Sequence, residues 1–382
     1  MPDEQPPEPP GDDRPAPPAP EAVDPPNRAG RLRRLALGRP GAIVAGLLAG
    51  ALLGGAAVAW RTGELPLREH RVCWESLSQE AVAGFLGGDD IEAHDLPLNS
   101  GLRGSERILG TCRITREVDG RTREVIASVR VLDGLHGLDV REWPDAFLSA
   151  RMVPLGGEVT GMVSPARAWA ALPAGCLSRR DQPPAVVDLS WGSERFDDAG
   201  GAERRDRLAR GVVELLNGVM RDRGCEGRYA APSGELAPVN VLERVPQAEL
   251  CDVAGLPVPE RFRAEGEEER DLPFHLVTSG GGAGVRVCQV GDDPARPDLV
   301  LRTIDDPRLA RVYAGGGPHG GDLFVATARC QTGPAVFVAR ADHDAVAVLE
   351  DVFPAYVRAE TRRLACDDAD GGRDGRARGG VT

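Results

Sequence analysis

Cysteine is the residue type in this chain whose spacing says most about chemistry. Eight occur, at positions 73, 112, 176, 225, 251, 288, 330 and 366. Thiols at such positions serve as zinc ligands, as nucleophiles or as disulfides. No C-x-x-C occurs, and the six histidines (His70, His94, His136, His275, His319 and His343) form neither H-x-x-x-H nor H-x-H and do not cluster with the cysteines, so the pattern argues against a zinc site. An even count, all of it on one side of an apolar segment, reads as oxidised pairs. Ser105 in GLRGSER lacks the glycine pattern of a nucleophile elbow. There is no lysine at all, and with it go Schiff-base chemistry, a Ser-Lys dyad and a phosphate-loop lysine.

The remaining candidates are weaker. SGGGAG (279–284) and GGGPHGG (315–321) carry no Lys-Ser/Thr and precede strand-like runs, so they read as a hairpin turn and a loop. GGDD (87–90) and GEEERD (266–271) read as solvated acidic loops, and Asp367, Asp368, Asp370 and Asp374 lack calcium-loop spacing. Trp74, Trp143, Trp169 and Trp191 all fall in the first half of the exported region and are expected in its core. No catalytic, cofactor-binding or metal-binding residue is assigned, and no cofactor is expected.

The apolar segment runs from Gly41 to Trp60, twenty residues without a charge. At about 1.5 Å per residue it spans a bilayer core. Arg28, Arg31, Arg33, Arg34 and Arg39 precede it, which places the N-terminus in the cytoplasm and the main domain outside. Ala57-Val58-Ala59 offers the alternative of a cleaved signal peptide, but the apolar run is longer than a signal core. Gly46, Gly50 and Gly54 share one helix face, a spacing through which two membrane helices associate into a homodimer.

Composition sets further bounds. The formal net charge of −13 excludes nucleic acid as a partner. Arginine as the sole strong base, with abundant Ala, Gly, Pro and Asp, points to a GC-rich bacterial genome. Residues 1–40 form a proline-rich, acidic tail too poor in apolar surface to fold, and 367–382 form a second such tail.

The exported region reads as α+β, built from two tandem diverged copies of a small antiparallel sheet packed with helices. The first module is 72–227 and the second 250–366, joined by a linker at 228–249; residues 61–71 connect the first to the membrane helix at 41–60. Each opens at a cysteine (CWESL, CDVAG), and the next cysteine follows 39 or 37 residues later within a strand-like run, ILGTCRIT or VRVCQV. The best-matched pieces, PAVVDLSW (184–191) and PAVFVARA (334–341), each lead into an amphipathic helix that ends near the fourth cysteine. Eight cysteines allow 105 pairings. The repeat cuts these sharply, because both copies should pair alike, and the expected set is Cys73–Cys112, Cys176–Cys225, Cys251–Cys288 and Cys330–Cys366, each bond tying a helix to a neighbouring strand.

The plan resembles that of actinobacterial (Streptomyces-like) single-pass membrane and envelope proteins. They combine a proline-rich cytoplasmic tail, one membrane helix and an extracytoplasmic domain opening with CW-x-x-L, here Cys73-Trp74-Glu75-Ser76-Leu77. The second module departs from it, with Asp252 where Trp74 stands. The resemblance implies no activity. The expected function is a non-enzymatic envelope module that binds a protein, lipid or glycan, with a cleft between the modules as the natural site. The alternative is a hydrolase whose site is assembled from residues distant in sequence.

Overall fold

The computed structural model describes residues 70–98, 108–132, 142–176, 184–191, 201–234, 236, 240–242, 249–262, 274–278, 284–291, 296–313 and 321–367. The apolar segment, Gly46, Gly50 and Gly54, and both tails up to 69 and from 368 lie outside them. No helix among the described residues is long and apolar enough to cross a membrane. The described residues belong to one body.

The chain enters through a two-stranded ribbon, β1 (Arg71–Val72) and β2 (Leu77–Ser78), and then helix α1 (Gln79–Leu86). The Ser78 hydroxyl accepts the Ala81 N–H at 3.2 Å, and Gly87 at φ 83° closes the helix by donating to the Ala83 carbonyl at 2.7 Å. Serine before and glycine after an apolar run are the residues that satisfy orphan helix-end groups, which is why this short helix starts and stops where it does.

A seven-stranded antiparallel sheet follows, counted over the described residues. Its strands are β3 (Glu92–Asp95), β4 (Ile108–Val118), β5 (Arg121–Val131), β6 (Val153–Pro154), β7 (Gly161–Val163), β8 (Arg167–Ala171) and β9 (Ala185–Ser190), in the order β3-β4-β5-β9-β8-β7-β6. A short helix α2 (Glu142–Phe147) lies between β5 and β6 in sequence. Side chains alternate between faces. Cys112, Ile114, Ala127, Val129, Val187 and Leu189 turn one way and form a core with α1 and the long helix α3 (Gly201–Asp222). Two glycines let α3 approach closely. A Cβ on Gly211 would lie 2.2 Å from Phe85, and one on Gly218 would lie 2.1 Å from the Ser76 hydroxyl.

The second sheet holds β10 (Asn240–Leu242), β11 (Phe274–Thr278), β12 (Val285–Gly291), β13 (Leu299–Ile304), β14 (Leu323–Cys330) and β15 (Gly333–Ala341), ordered β10-β11-β12-β13-β15-β14. A short helix α4 (Pro307–Ala310) follows β13, and α5 (Val346–Arg363), with Pro354 inside it, covers one face. Strand β10 lies within the segment expected to be only a linker, and pairs with the edge of this sheet. The order β3-β4-β5-β9-β8 of the first sheet matches β11-β12-β13-β15-β14 of the second, strand for strand.

All eight cysteines are paired, as Cys73–Cys112, Cys176–Cys225, Cys251–Cys288 and Cys330–Cys366. Each half is thus closed by its own two bonds. Cys73 and Cys251, the opening residue of each half, are both left-handed, at φ 52° and φ 62°.

The remaining faces of the two sheets share a third core. Phe147, Met162, Trp169 and Val186 of the first half meet Val287, Val300, Val325 and Val338 of the second. The layers are therefore helices, sheet, sheet, helix. Polar ties cross the same boundary: the Thr160 hydroxyl donates to Asp306 at 2.6 Å, and Arg308 donates to both residues at 2.7 and 2.6 Å.

Replacing Cys73 and Cys112 together by serine should cost about 4 kcal/mol for a loop of this length, read as a lower urea midpoint. Gly218→Ala should cost about 2 kcal/mol by overpacking against Ser76 in the same assay, although alanine is the better helix former.

Candidate functional site

A solvent-open cleft of about 1290 Å³ is lined by strands of both sheets beside their shared core. Both halves line it. It gathers six arginines (Arg130, Arg151, Arg167, Arg296, Arg302 and Arg340) against four aspartates (Asp145, Asp188, Asp322 and Asp342).

On the first wall, β9 places Asp188 on the inward face at 1 % exposure. Such a carboxylate must be paired to persist in the interior. Arg167 on the adjacent strand β8 donates to it twice, Nε to Oδ1 at 2.7 Å and Nη2 to Oδ2 at 3.0 Å. Arg130 on β5 lies 3.7 Å from the same carboxylate and donates to the Ser128 hydroxyl at 3.0 Å. Arg167 is held further by the Ala146 carbonyl at 2.7 Å and by the Phe147 ring, 4.3 Å beneath its guanidinium. One carboxylate is thus shared by two arginines.

The second wall is built on β13 and β15. Arg302, 3 % exposed, donates from Nε to the Leu148 carbonyl at 3.2 Å and from Nη2 to Asp145 at 2.9 Å. Its Nη1 is enclosed and has no hydrogen-bond partner among the described residues. Burial pushes the Arg302 guanidinium down to about 10, with Tyr313 and Tyr356 pulling the other way, so it stays charged at neutral pH. Arg340 also binds Asp145, and reaches Asp322 at 3.3 Å. Asp145 belongs to the first half. The segment after α2 makes the crossing too: Gln289 accepts the Ala150 N–H at 3.2 Å and the Ser149 hydroxyl at 3.4 Å.

Behind the second sheet lies a separate buried network. Glu360 on α5, with no exposed surface, accepts from Arg286 at 2.9 Å, from Thr303 at 2.7 Å and from Arg363 at 2.7 Å. Burial opposes its charge, but hydrogen bonds from Arg363 and Thr303 and the charges of Arg363 and Arg286 outweigh burial and hold the carboxyl below its ordinary 4.5. Arg286 also donates to the Cys251 carbonyl at 2.6 Å, tying the opening turn of this half to its sheet.

The structure places the sequence candidates as follows. The cysteines close the two halves and do not line the cleft. His343 lines it from the turn before α5, with its ring 98 % exposed. His70 is exposed and His94 sits on the edge strand β3; the side chains of His136, His275 and His319 lie outside the described residues, as do Ser105, GEEERD and most of both glycine runs. GGDD follows α1 as a turn. Trp143 and Trp169 are fully buried between the sheets and Trp191 is in the first core, as expected; Trp74 is half-buried, its Nε1 donating to the Leu96 carbonyl at 2.7 Å. The charged pairs of the cleft were missed. Their signal is a single charge inside an apolar strand, Asp188 in AVVDLS and Arg302 in LVLRTI.

Comparison with protein-family models, with curated proteins and with solved structures gave no match. Any functional reading therefore rests on this geometry.

Asp188→Asn should destabilise the protein by about 3 kcal/mol, because it strips the charge partner from two half-buried arginines; equilibrium unfolding in urea measures it. Glu360 supplies a pH test. Its folded value is depressed, so its contribution is present above the ordinary 4.5 and is lost as pH falls through the depressed value. The thermal midpoint of the wild type should exceed that of Glu360→Gln at pH 7, and the gap should close on acidification below about 4.

Proposed function

We propose that this chain is a non-enzymatic ligand-binding module of the cell envelope, tethered by the apolar segment 41–60 with residues 70–367 outside the membrane. Its two halves are diverged copies of one α+β unit, and its ligand sits in the cleft between them. The matched strand order and the equivalent pairs of disulfides support the duplication. Wholly paired cysteines support an oxidising compartment.

The observation that carries the binding reading is the cleft itself, walled by both halves and lined with charged side chains already held in place by hydrogen bonds. Fixed donors around a cleft suit recognition, since little ordering cost remains when a ligand arrives. The serine hydroxyls facing the cleft bond to Gln289 and to the Ile126 carbonyl, not to an imidazole or carboxylate. That favours binding over hydrolysis, which needs an activated nucleophile.

Native mass spectrometry of the full chain after incubation with an envelope small-molecule extract provides the test. One unaltered compound should bind per chain and be lost in Ile126→Trp, which fills the cleft without touching the arginine–aspartate pairs. Retention of the compound by that variant, or its chemical conversion, overturns the reading.

A further inference from the structure

We infer that the rim where β3 ends and β4 begins lies against the lipid surface, with Trp74, Leu96 and Ile108 entering the headgroup layer. This rests on the reading of segment 41–60 as the membrane tether. Among the described residues, Leu96 and Ile108 are the large apolar side chains left exposed, at 67 % and 38 %. They are not scattered. The Leu96 N–H donates at 2.8 Å to the carbonyl of Thr111, which follows Ile108 by three residues on β4. Gly110 stands between those two in sequence, and its lack of a side chain lets Leu98 and Trp74 close over the strand. Leu96-Pro97-Leu98 and Ile108-Leu109-Gly110-Thr111 carry no charge, in a chain of which 27 % is charged. Apolar side chains gathered in this way at a solvent-facing rim mark a contact surface, where single ones would not.

Trp74 indicates what the rim meets. Its Nε1 donates to the Leu96 carbonyl at 2.7 Å and its backbone N–H to Asp95 at 3.1 Å, so the ring is held half-buried at the end of β3. An indole, with an apolar body and a polar edge, settles at a membrane–water interface. It is presented by a turn in which Cys73, Trp74 and Glu75 are all left-handed, at φ 52°, 61° and 55°. The second half makes a similar left-handed turn at Cys251 and Asp252, yet has aspartate where the first has Trp74. The apolar tip therefore belongs only to the half that follows the apolar segment in the chain.

Nine residues, 61–69, join that segment to His70, a reach of at most about 30 Å. Trp74 comes four residues later. A patch this small would not hold a free protein to a membrane. A tether this short makes the contact intramolecular, and the high effective concentration compensates for weak intrinsic affinity.

Fluorescence of the full chain in phosphatidylcholine nanodiscs, loaded at one chain per disc, tests the inference. Trp60→Phe removes the tryptophan of the apolar segment, and Trp143, Trp169 and Trp191 are buried. Lipid brominated on its acyl chains should then quench Trp74, by roughly one quarter of the emission at most, since four tryptophans remain. In that background Leu96→Trp should raise the quenched fraction. Glu350→Trp, exposed on α5, should lower it, because lipid does not reach the added ring. Ile108→Asp should cut the quenching of the Trp60→Phe chain about twofold or more, with the far-ultraviolet dichroism spectrum verifying that the variant folds. Entry into discs without quenching, or equal gains from Leu96→Trp and Glu350→Trp, overturns the inference and leaves the tether standing. Leu96→Trp emission that shifts to the blue only in discs holding two chains gives the rim to a second copy and also overturns it. A chain that does not enter discs at all overturns both readings.

Discussion

The back-to-back packing of the two sheets is the constraint on which everything else in this structure depends. Each sheet must bury two faces, one under its own helices and one against the other sheet. The shared layer of Trp169, Phe147, Met162, Val300 and Val338 does this, and it explains why strands such as β8, β9, β13 and β15 are buried on both sides. Strands covered on one face only would show polar residues at every second position; these do not.

The same packing creates the cleft. Along its lining, positions of β5, β8, β9, β13 and β15 that face the other sheet change from aliphatic to charged within the same alternation. Val186 and Asp188 stand two residues apart on one strand, and Val300 and Arg302 do so on another. A charge survives there because a neighbouring strand supplies its partner, as Arg167 does for Asp188. Arg302 is served from the other half, by Asp145 and the Leu148 carbonyl. The halves are therefore joined through charged groups as well as through their apolar layer.

The disulfides act at a different level. Each half carries its own pair, so neither covalent closure crosses the shared core. Cohesion between the halves is left to non-covalent packing and to ties such as Thr160–Asp306–Arg308. Each half is thus closed covalently by its own bonds, while the junction beside the cleft is held by non-covalent contacts alone.

Sequence alone carried the α+β class, most of the strands and helices and all four disulfide pairs, because these depend on local periodicity, on cap residues and on a repeated cysteine spacing. Ser78 and Gly87 bracket α1 as their chemistry requires, and PAVVDLSW and PAVFVARA became β9 and β15. What only the tertiary structure decided is how the two halves meet. Period-two alternation is hidden in strands buried on both faces, so no pattern told which side chains of β13 or β9 would face the other sheet. Asp188 and Arg302 looked like isolated interruptions of apolar runs, since their partners Arg167 and Asp145 are 21 and 157 residues away. Strand β10 shows the same limit, three residues in an expected linker that become a strand because an open sheet edge stands beside them. The cysteine spacing was legible because it repeats along the chain; the cleft was not, because it exists only where distant strands are brought face to face.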